Sequence, residues 1–177
     1  MAHTDKAQVL WDIHQIQQVY LTYAAAMDSH QWDLMEQCFT EDAEVCLSAL
    51  AIKLSGGVER LDFRGWQQMC RTIDPTFDML QHYIYPPLVK VDEDVAHARV
   101  YFVAQHVKNE LAPDSIFTMG GWYNGELVRY GEGWRISRHE LVDTWLSGNP
   151  EVIGCKGLPT GAAERVAGHA IPAWLTV

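Results

Sequence analysis

Long hydrophobic runs and closely spaced cysteines are both missing from this sequence. No segment approaches the ~18 consecutive apolar residues of a membrane-spanning helix, and residues 1–8 carry no apolar signal core. The four cysteines show no C-x-x-C spacing, so neither a zinc site nor a redox dithiol is indicated. We therefore expect a soluble, cytoplasmic protein with reduced thiols.

Basic residues are scarce as well. The chain has 13 Lys and Arg against 23 Asp and Glu, a formal net charge of -10. An acidic surface repels phosphate backbones and anionic lipids, so we expect no nucleic-acid partner and no membrane partner. The 177 residues are 48% hydrophobic, enough for the core of one domain. We expect a single domain over 1–177, with its core at about 7–145 and a tail, 146–177, as a candidate cover for a pocket or an interface.

The order of the predicted elements indicates the fold class. Apolar residues at steps of three and four predict a helix over Ala7–Met27, with intervening polar residues such as Asp12 facing solvent. Shorter helices are predicted over Gln31–Cys38 and Gly65–Ile73. The predicted strands are Ala43–Ile52, Val58–Phe63, Leu80–Val91 with a bend at Pro86-Pro87, Val95–Lys108, Ile116–Tyr130 and Trp134–Trp145. Helices followed by a meander of strands predict an α+β fold, with N-terminal helices packed in a strongly curved antiparallel sheet.

A series of sequence landmarks over about residues 10–145 resembles the SnoaL-like part of the NTF2-like superfamily. The landmarks are Tyr23-x4-Asp28, Phe39-Thr-Glu-Asp-Ala43, His82, Asp92-x-Asp94-x-Ala96, Gly121-Trp-Tyr123 and Gly133-Trp-Arg-Ile136-x-Arg138. The resemblance implies a cone-shaped NTF2-like fold. Within this group the chain is similar to scytalone dehydratase, the bile-acid 7α-dehydratases and the hexachlorocyclohexane dehydrochlorinase. Those enzymes eliminate water or HCl without a metal or an organic cofactor.

The resemblance also implies catalytic residues. The shared element of those enzymes, a helix aspartate that holds a strand histidine, maps to Asp28 and His82. A tyrosine of the bile-acid enzymes maps to Tyr23, and an arginine in the last strand of some members maps to Arg138. His106 falls near a second histidine of scytalone dehydratase, whereas the bile-acid enzymes carry an acid there.

The residue types at these positions suit acid–base chemistry. An elimination needs a base near neutral pH, and the ordinary pKa of histidine is ~6.5. A carboxylate on the other ring nitrogen fixes the tautomer and stabilises the imidazolium. His82 shares a strand face with Leu80 and Ile84, which predicts an inward side chain. Two alternatives stay open: Asp28 begins a capping box for the following helix, and His82 is an ordinary strand histidine.

Each of the other three candidates has two alternative interpretations. His106 lies on an apolar strand face, which predicts an inward histidine, although it is also near the strand end. Arg138 shares a face with Trp134 and Ile136, so it needs an anion, either a substrate oxygen or a glutamate. Tyr23 is either a hydrogen-bond donor to the substrate or a core residue of its helix.

The predicted substrate is a small apolar or aromatic molecule, up to a polycyclic one, because the candidate contact residues are mostly apolar. They are Trp32, Phe102, Met119, Trp122 and Asn124. We expect a cofactor-independent, dehydratase-like lyase with no metal, with cleavage of a carbon–oxygen bond favoured over cleavage of a carbon–carbon or carbon–halide bond. An isomerase or cyclase with the same base, or a non-catalytic binding or assembly protein, is the alternative. The resemblance implies a dimer or trimer formed through the outer sheet face, where Val95, Tyr101 and Val103 are outward apolar candidates. We therefore expect a homo-oligomer, with a trimer preferred to a dimer.

Overall fold

A computed structural model describes residues 6–162 and 172–175 of the chain. The helices in this part are α1 (Lys6–Asp28), α2 (Trp32–Glu36), α3 (Ala49–Leu54) and α4 (Phe63–Ile73). The strands are β1 (Phe39–Cys46), β2 (Arg60–Asp62), β3 (Met79–Ile84), β4 (Leu88–Asp92), β5 (Val95–Val107), β6 (Ile116–Tyr130), β7 (Gly133–Gly148) and β8 (Gly161–Ala162). Short 3-10 turns cover Asp74–Thr76, Asn109–Leu111, Pro150–Ile153 and Ala173–Leu175.

One sheet contains all the described strands and confirms the α+β prediction. Its order is β2-β1-β7-β6-β5-β3, with β4 paired to β5 and β8 paired to β7. Strands β3 and β4 pair with successive parts of β5. Among the described pairs, β1 with β7 is parallel and the others are antiparallel. The parallel pair needs a long connection, and α3, α4 and five strands lie between its members.

Helix α1 packs its apolar stripe on the concave face of the sheet. Ile16, Tyr20, Tyr23 and Met27 are buried there, as the helical spacing predicts. The helix approaches β6 so closely that a Cβ at Gly125 would collide with the Tyr20 hydroxyl oxygen. Glycine at this position therefore lets α1 come close to the floor of the cone.

The sequence pattern predicted that Asp12 faces solvent, but in the structure Asp12 is buried. Its carboxylate pairs with Arg129 at 3.1 Å and accepts a hydrogen bond from Trp134 Nε1 at 3.1 Å. Burial alone would raise the pKa of Asp12, but the bonds from Arg129 and Trp134 hold it below its usual value. This polar cluster fastens the first half of α1 to the ends of β6 and β7.

Two predicted strands take a different form in the structure. The predicted strand Ala43–Ile52 ends at Cys46, and α3 follows, because Ser48 caps the helix by accepting from the Ala51 N–H at 3.3 Å. The predicted strand Leu80–Val91 is divided into β3 and β4. Pro86 and Pro87 lie in the gap, where each removes a backbone donor.

The curvature of the sheet comes with two register shifts between β6 and β7. One lies between Gly120 and Gly121, where a Cβ at Gly121 would collide with the Val142 carbonyl oxygen. The other leaves Ser137 as an extra residue, because Glu126 pairs with Arg138 and Leu127 pairs with Ile136. A bulge bends its strand and reverses which residues point inward.

The chain beyond β7 contributes to the core. A second apolar cluster joins the 3-10 turn Pro150–Ile153 to α3 and to β6. Trp174 stacks on His97, with ring centroids 5.8 Å apart. The rest of the predicted tail, 163–171 and 176–177, lies outside the described residues. Within 6–162 and 172–175, no helix is long and apolar enough to cross a membrane.

A histidine occupies the centre of the main core. His139 is fully buried against the rings of Tyr20, Tyr23, Phe39 and Tyr123. Neither ring nitrogen has a hydrogen-bond partner in the described part of the chain. Burial lowers the pKa of His139 to about 3, so the folded protein keeps this ring neutral.

We predict that His139→Phe makes the fold less sensitive to acid. The unfolded chain binds a proton at this histidine near its ordinary pKa of ~6.5, whereas the folded chain resists protonation down to about 3. Stability associated with the neutral ring is therefore lost as pH falls through this window. Thermal unfolding at about pH 7 and about pH 5 should show a smaller loss for the variant than for the wild type, with exposed His14→Phe as control. An equal loss in both proteins would contradict the assignment.

Candidate active site

An apolar cavity of about 100 Å³ lies between the helices and the concave face of the sheet. Side chains from α1, α3, α4, β3, β5, β6, β7 and the turn Pro150–Ile153 line it. The lining is mostly aliphatic and aromatic. The polar side chains in it are Ser48, Cys70, Asp74, His82, His106 and Tyr123.

Asp28 and His82 meet at the wall of this cavity. Asp28 is the last residue of α1, and His82 lies in β3 with only 6% of its side chain exposed. Asp28 Oδ1 is 2.7 Å from His82 Nδ1, and the His82 backbone N–H donates to both carboxylate oxygens at 3.0 Å. These donors compensate a carboxylate at the negative end of a helix dipole. Asp28 therefore holds the histidine and does not cap α2, whose N-cap is Gln31.

The contact determines which ring nitrogen of His82 is basic. An ionised carboxylate only accepts hydrogen bonds, so Nδ1 carries the proton that points to Asp28. Nε2 is then the unprotonated nitrogen of a ring that lines the cavity. The pair has the arrangement of a general base with an orienting carboxylate.

His106 lies in the same cavity as His82. It is in β5, its Nδ1 has no hydrogen-bond partner among the described residues, and its ring packs edge-on against Phe77 at 4.9 Å. Burial, and then the nearby His82, lower the pKa of His106 to about 3. His106 is therefore a neutral imidazole at neutral pH, able to donate or accept a hydrogen bond but not to carry charge.

Asp74 also lines the cavity, and the sequence reasoning missed it. It follows the last residue of α4, is 9% exposed, and its Oδ2 has no hydrogen-bond partner in the described part of the chain. Burial, and then the nearby Asp28, raise the pKa of Asp74 to about 7. The available signal was its position directly after a predicted helix, where the dipole disfavours a carboxylate.

Tyr23 lies behind the cavity wall. Its hydroxyl accepts a hydrogen bond from Trp66 Nε1 at 3.1 Å, and its ring packs edge-on against Phe39 and Tyr123. It is buried and is not among the lining residues. Tyr123 lines the cavity instead and stacks on Phe102 at 4.3 Å. Tyr123 was also missed, although it belongs to one of the sequence landmarks.

Arg138 points away from the cavity, and the bulge at Ser137 is the reason. Trp134 and Ile136 are buried, but the extra residue reverses the alternation, so His139 faces the core and Arg138 faces outward. The Arg138 guanidinium bonds Glu44 Oε1 on β1 at 3.2 Å. The sequence expectation that Arg138 shares the inward face is therefore wrong.

The five predicted substrate contacts divide between the cavity and the outer surface. Phe102 and Met119 line the cavity. Trp122 and Asn124 lie on the opposite face of β6, where Trp122 packs under the Arg99 guanidinium and Asn124 accepts a bond from Arg99. Met119 and Trp122 differ by an odd number of residues, so a regular strand directs them to opposite faces.

Trp32, the fifth predicted contact, also lies outside the cavity. Its ring stacks on His30 at 5.7 Å, and the Arg71 guanidinium lies over it. No group of three or more His, Cys, Asp or Glu side chains that could hold a metal ion was found among residues 6–162 and 172–175.

A known domain family and two mycobacterial proteins are similar to the larger part of this chain. The family model of the SnoaL-like domain matches residues 8–140. The chain is 30% identical over 126 residues to the uncharacterized protein Rv2910c of Mycobacterium tuberculosis, covering 70% of this chain and 80% of that protein. The same values hold for the uncharacterized protein Mb2934c of Mycobacterium bovis.

Solved structures share the fold at low sequence identity. The Kfla4162 protein of Kribbella flavida superposes with a TM-score of 0.72 at 22% identity, over 83% of this chain and 99% of that one. A candidate scytalone dehydratase of Novosphingobium aromaticivorans gives 0.71 at 17%, over 93% and 99%. The hexachlorocyclohexane dehydrochlorinase LinA-type3 of Novosphingobium barchaimii gives 0.67 at 15%, over 81% and 94%.

We predict that Asp28 sets the tautomer of His82. Nitrogen-15 NMR of histidine-labelled protein, at a pH where the His82 ring is neutral, should show His82 with a protonated Nδ1 and an unprotonated Nε2. In Asp28→Asn the amide can donate as well as accept, so the preference for this tautomer should weaken. Exposed Asp94→Asn is the matched control and should leave the His82 signals unchanged. An unchanged His82 spectrum in Asp28→Asn would contradict the assigned contact.

Proposed function

The chain belongs to the SnoaL-like domain family of NTF2-like proteins, and on that premise we propose that it is a lyase acting on a small apolar molecule. The reaction eliminates a small group, in the first instance water, from a carbon near a carbonyl. His82 is the base and Asp28 orients it. The observation that carries the proposal is the 2.7 Å contact between Asp28 Oδ1 and His82 Nδ1 at the wall of an apolar cavity.

The proposed substrate needs a carbonyl group because imidazole is a weak base. A neutral imidazole removes a proton from carbon only where a neighbouring group makes that proton acidic. As Nε2 of His82 accepts the proton, the ring becomes an imidazolium, and the Asp28 carboxylate on Nδ1 stabilises it. The apolar lining keeps the local dielectric low, which strengthens this interaction relative to one in water.

Two further polar groups are placed to contact the substrate. His106 stays neutral, because burial lowers its pKa to about 3, so it offers a hydrogen bond to a substrate oxygen rather than a proton. Tyr123 belongs to the same lining and carries a hydroxyl group. Phe102 and Met119 supply apolar surface for the carbon skeleton. In this proposal Tyr23 supports the wall from behind, through its bond with Trp66.

The size of the cavity favours a one-ring substrate. Its volume of about 100 Å³ is below the ~300–1,000 Å³ of sites for drug-sized ligands. A polycyclic molecule would require α3 or the turn Pro150–Ile153 to move, since both contribute lining residues. We therefore choose single-ring ketones as probes.

Two of the similar structures carry the names of elimination enzymes. A dehydrochlorinase and a candidate dehydratase both belong to the set that shares the fold. At 15% and 17% identity they support the fold alone. An isomerase with the same Asp28–His82 base would return the proton to another carbon instead of releasing a group, so the product distinguishes the two reactions.

The proposal includes the cellular setting and assembly of the protein. Cys38, Cys46, Cys70 and Cys155 are all free thiols, which supports a reducing, cytoplasmic compartment. Val95 and Tyr101 are more than 40% exposed on the outer sheet face, which supports a homo-oligomer, with a trimer favoured. Light scattering that shows only a monomer would overturn this part of the proposal.

We predict that elimination depends on both members of the pair. Loss of the base in His82→Gln should reduce kcat/KM for β-hydroxycyclohexanone by ~10²–10⁴-fold, the usual contribution of a positioned acid–base group. Asp28→Asn should approach the same loss, and the double variant should be little worse than either single variant. The conjugated ketone product is followed by ultraviolet absorbance, before and after treatment with EDTA.

Control variants and a second probe make this test decisive. His14→Gln and Arg138→Gln lie outside the cavity and should keep wild-type turnover. A β,γ-unsaturated cyclohexenone that is converted while the hydroxy ketone is not would replace the lyase with an isomerase. Folded wild-type protein that converts neither probe, or full activity in His82→Gln, would overturn the proposed function. Loss of turnover after EDTA would overturn its metal-free form.

A further inference from the structure

Elimination of water needs a proton for the departing oxygen, and few groups in the cavity can supply one. His82 enters the reaction unprotonated, since its task is to accept a proton. His106 is neutral, because burial lowers its pKa to about 3. Burial also raises the pKa of Cys70 and of Tyr123 well above their usual values, which makes both poor acids. Ser48 is a hydroxyl group and is weaker still.

Asp74 differs from these groups in position and chemistry. It is a carboxyl group at the end of α4, 9% exposed, on the lining of the cavity that contains His82. Its Oδ2 is shielded from solvent and has no hydrogen-bond partner in the described part of the chain. An ionised carboxylate would need donors there, whereas a protonated one would have an O–H available for a ligand.

The surroundings of Asp74 also oppose ionisation. The Asp28 carboxylate contributes negative charge at Asp74, and the C-terminal end of α4 adds partial negative charge. Among the described residues, no lysine or arginine lines the cavity. Burial, followed by Asp28, raises the pKa of Asp74 to about 7. The titratable groups around it are Asp28 and Tyr23 from α1, Cys70 from α4, His82 from β3, His106 from β5 and Tyr123 from β6.

We propose that Asp74 is the general acid that protonates the leaving oxygen, an assignment that rests on the proposed elimination by His82. His82 Nε2 takes the proton from carbon, the C–H electron pair forms the C=C bond, and the C–O bond breaks. The leaving oxygen takes the proton of the Asp74 carboxyl group and departs as water. The His82 imidazolium then returns its proton to the Asp74 carboxylate, through that water, so the cycle consumes no net proton.

The assignment predicts a dependence on the leaving group. β-Hydroxycyclohexanone must be protonated to release water, whereas β-chlorocyclohexanone releases chloride without a proton. Asp74→Asn keeps the shape but has no acidic proton. It should reduce kcat for the hydroxy ketone by ~10²-fold or more, with KM little changed, and should change kcat for the chloro ketone less than ~3-fold. Asp74→Glu should restore part of the activity on the hydroxy ketone.

Loss of the base should affect a different set of reactions from loss of the acid. The two variants therefore test the role of Asp74 separately from the proposed function. His82→Gln should lose both eliminations, and it should also lose deuterium exchange of the α-protons of cyclohexanone in D₂O. Asp74→Asn should keep that exchange. Equal losses on the hydroxy and chloro ketones in Asp74→Asn would overturn Asp74 as the acid and leave the base intact. Failure of the wild type in all three reactions would overturn the proposed function itself.

The protonated carboxyl group can also be observed without a substrate. Infrared spectra of the wild type at about pH 6 should show a carboxylic-acid C=O band that titrates near pH 7 and is missing in Asp74→Asn.

Because the folded protein holds this proton more tightly than the unfolded chain, wild-type stability falls as pH rises from about 4 to about 7. Asp74→Asn should therefore gain melting temperature relative to the wild type at about pH 8, and exposed Asp94→Asn should not. Absence of the band, or a loss of stability in Asp74→Asn at that pH, would overturn the assignment.

Discussion

The carboxylate of Asp28 joins the last turn of α1 to strand β3, and the site depends on this junction. The carboxylate lies at the unfavourable end of a helix dipole, and the backbone N–H and the ring of His82 compensate it at 3.0 and 2.7 Å. The same bonds hold the histidine in one orientation. Packing of α1 in the sheet, which Gly125 allows by leaving room for the Tyr20 hydroxyl, places the junction at the cavity wall. The contact between Asp28 and His82 therefore both connects α1 to β3 and orients the proposed base.

An apolar environment gives the neighbouring groups their properties. The same exclusion of water that keeps His106 neutral raises the pKa of Asp74 to about 7, since burial disfavours the charged form of both an acid and a base. His82 differs from these two groups because it has a carboxylate partner. The cavity thus holds an oriented base, a neutral hydrogen-bonding imidazole and a carboxyl group with an available proton. In the proposed elimination these three groups have complementary roles.

Sequence patterns predicted the parts of the protein that depend on local periodicity. The spacing of Tyr20, Tyr23 and Met27 predicted α1, and the alternation around His82 predicted its inward direction. The pairing of Asp28 with His82 came from the resemblance, because residues 54 positions apart share no local pattern. Helix α3 was missed because its apolar composition also suits a strand, and the Ser48 cap decides between them.

The errors at the site have a common physical origin. One extra residue at Ser137 reverses the alternation of the β7 side chains that follow it, as far as the second register shift, so Arg138 faces outward. A bulge of this kind depends on the pairing with β6 and not on the sequence of β7 alone. Asp74 was missed for a related reason: its burial and its distance from cations exist only once α4, β3 and β5 have packed together.

The central claim remains that His82 accepts a proton from a ligand in this cavity. The most direct measurement is the absorption spectrum of bound 4-nitrophenol at a pH where the free molecule is mostly protonated. The account predicts the phenolate spectrum on the wild type and the phenol spectrum on His82→Gln. Bound phenol on both proteins, or phenolate on both, would contradict it.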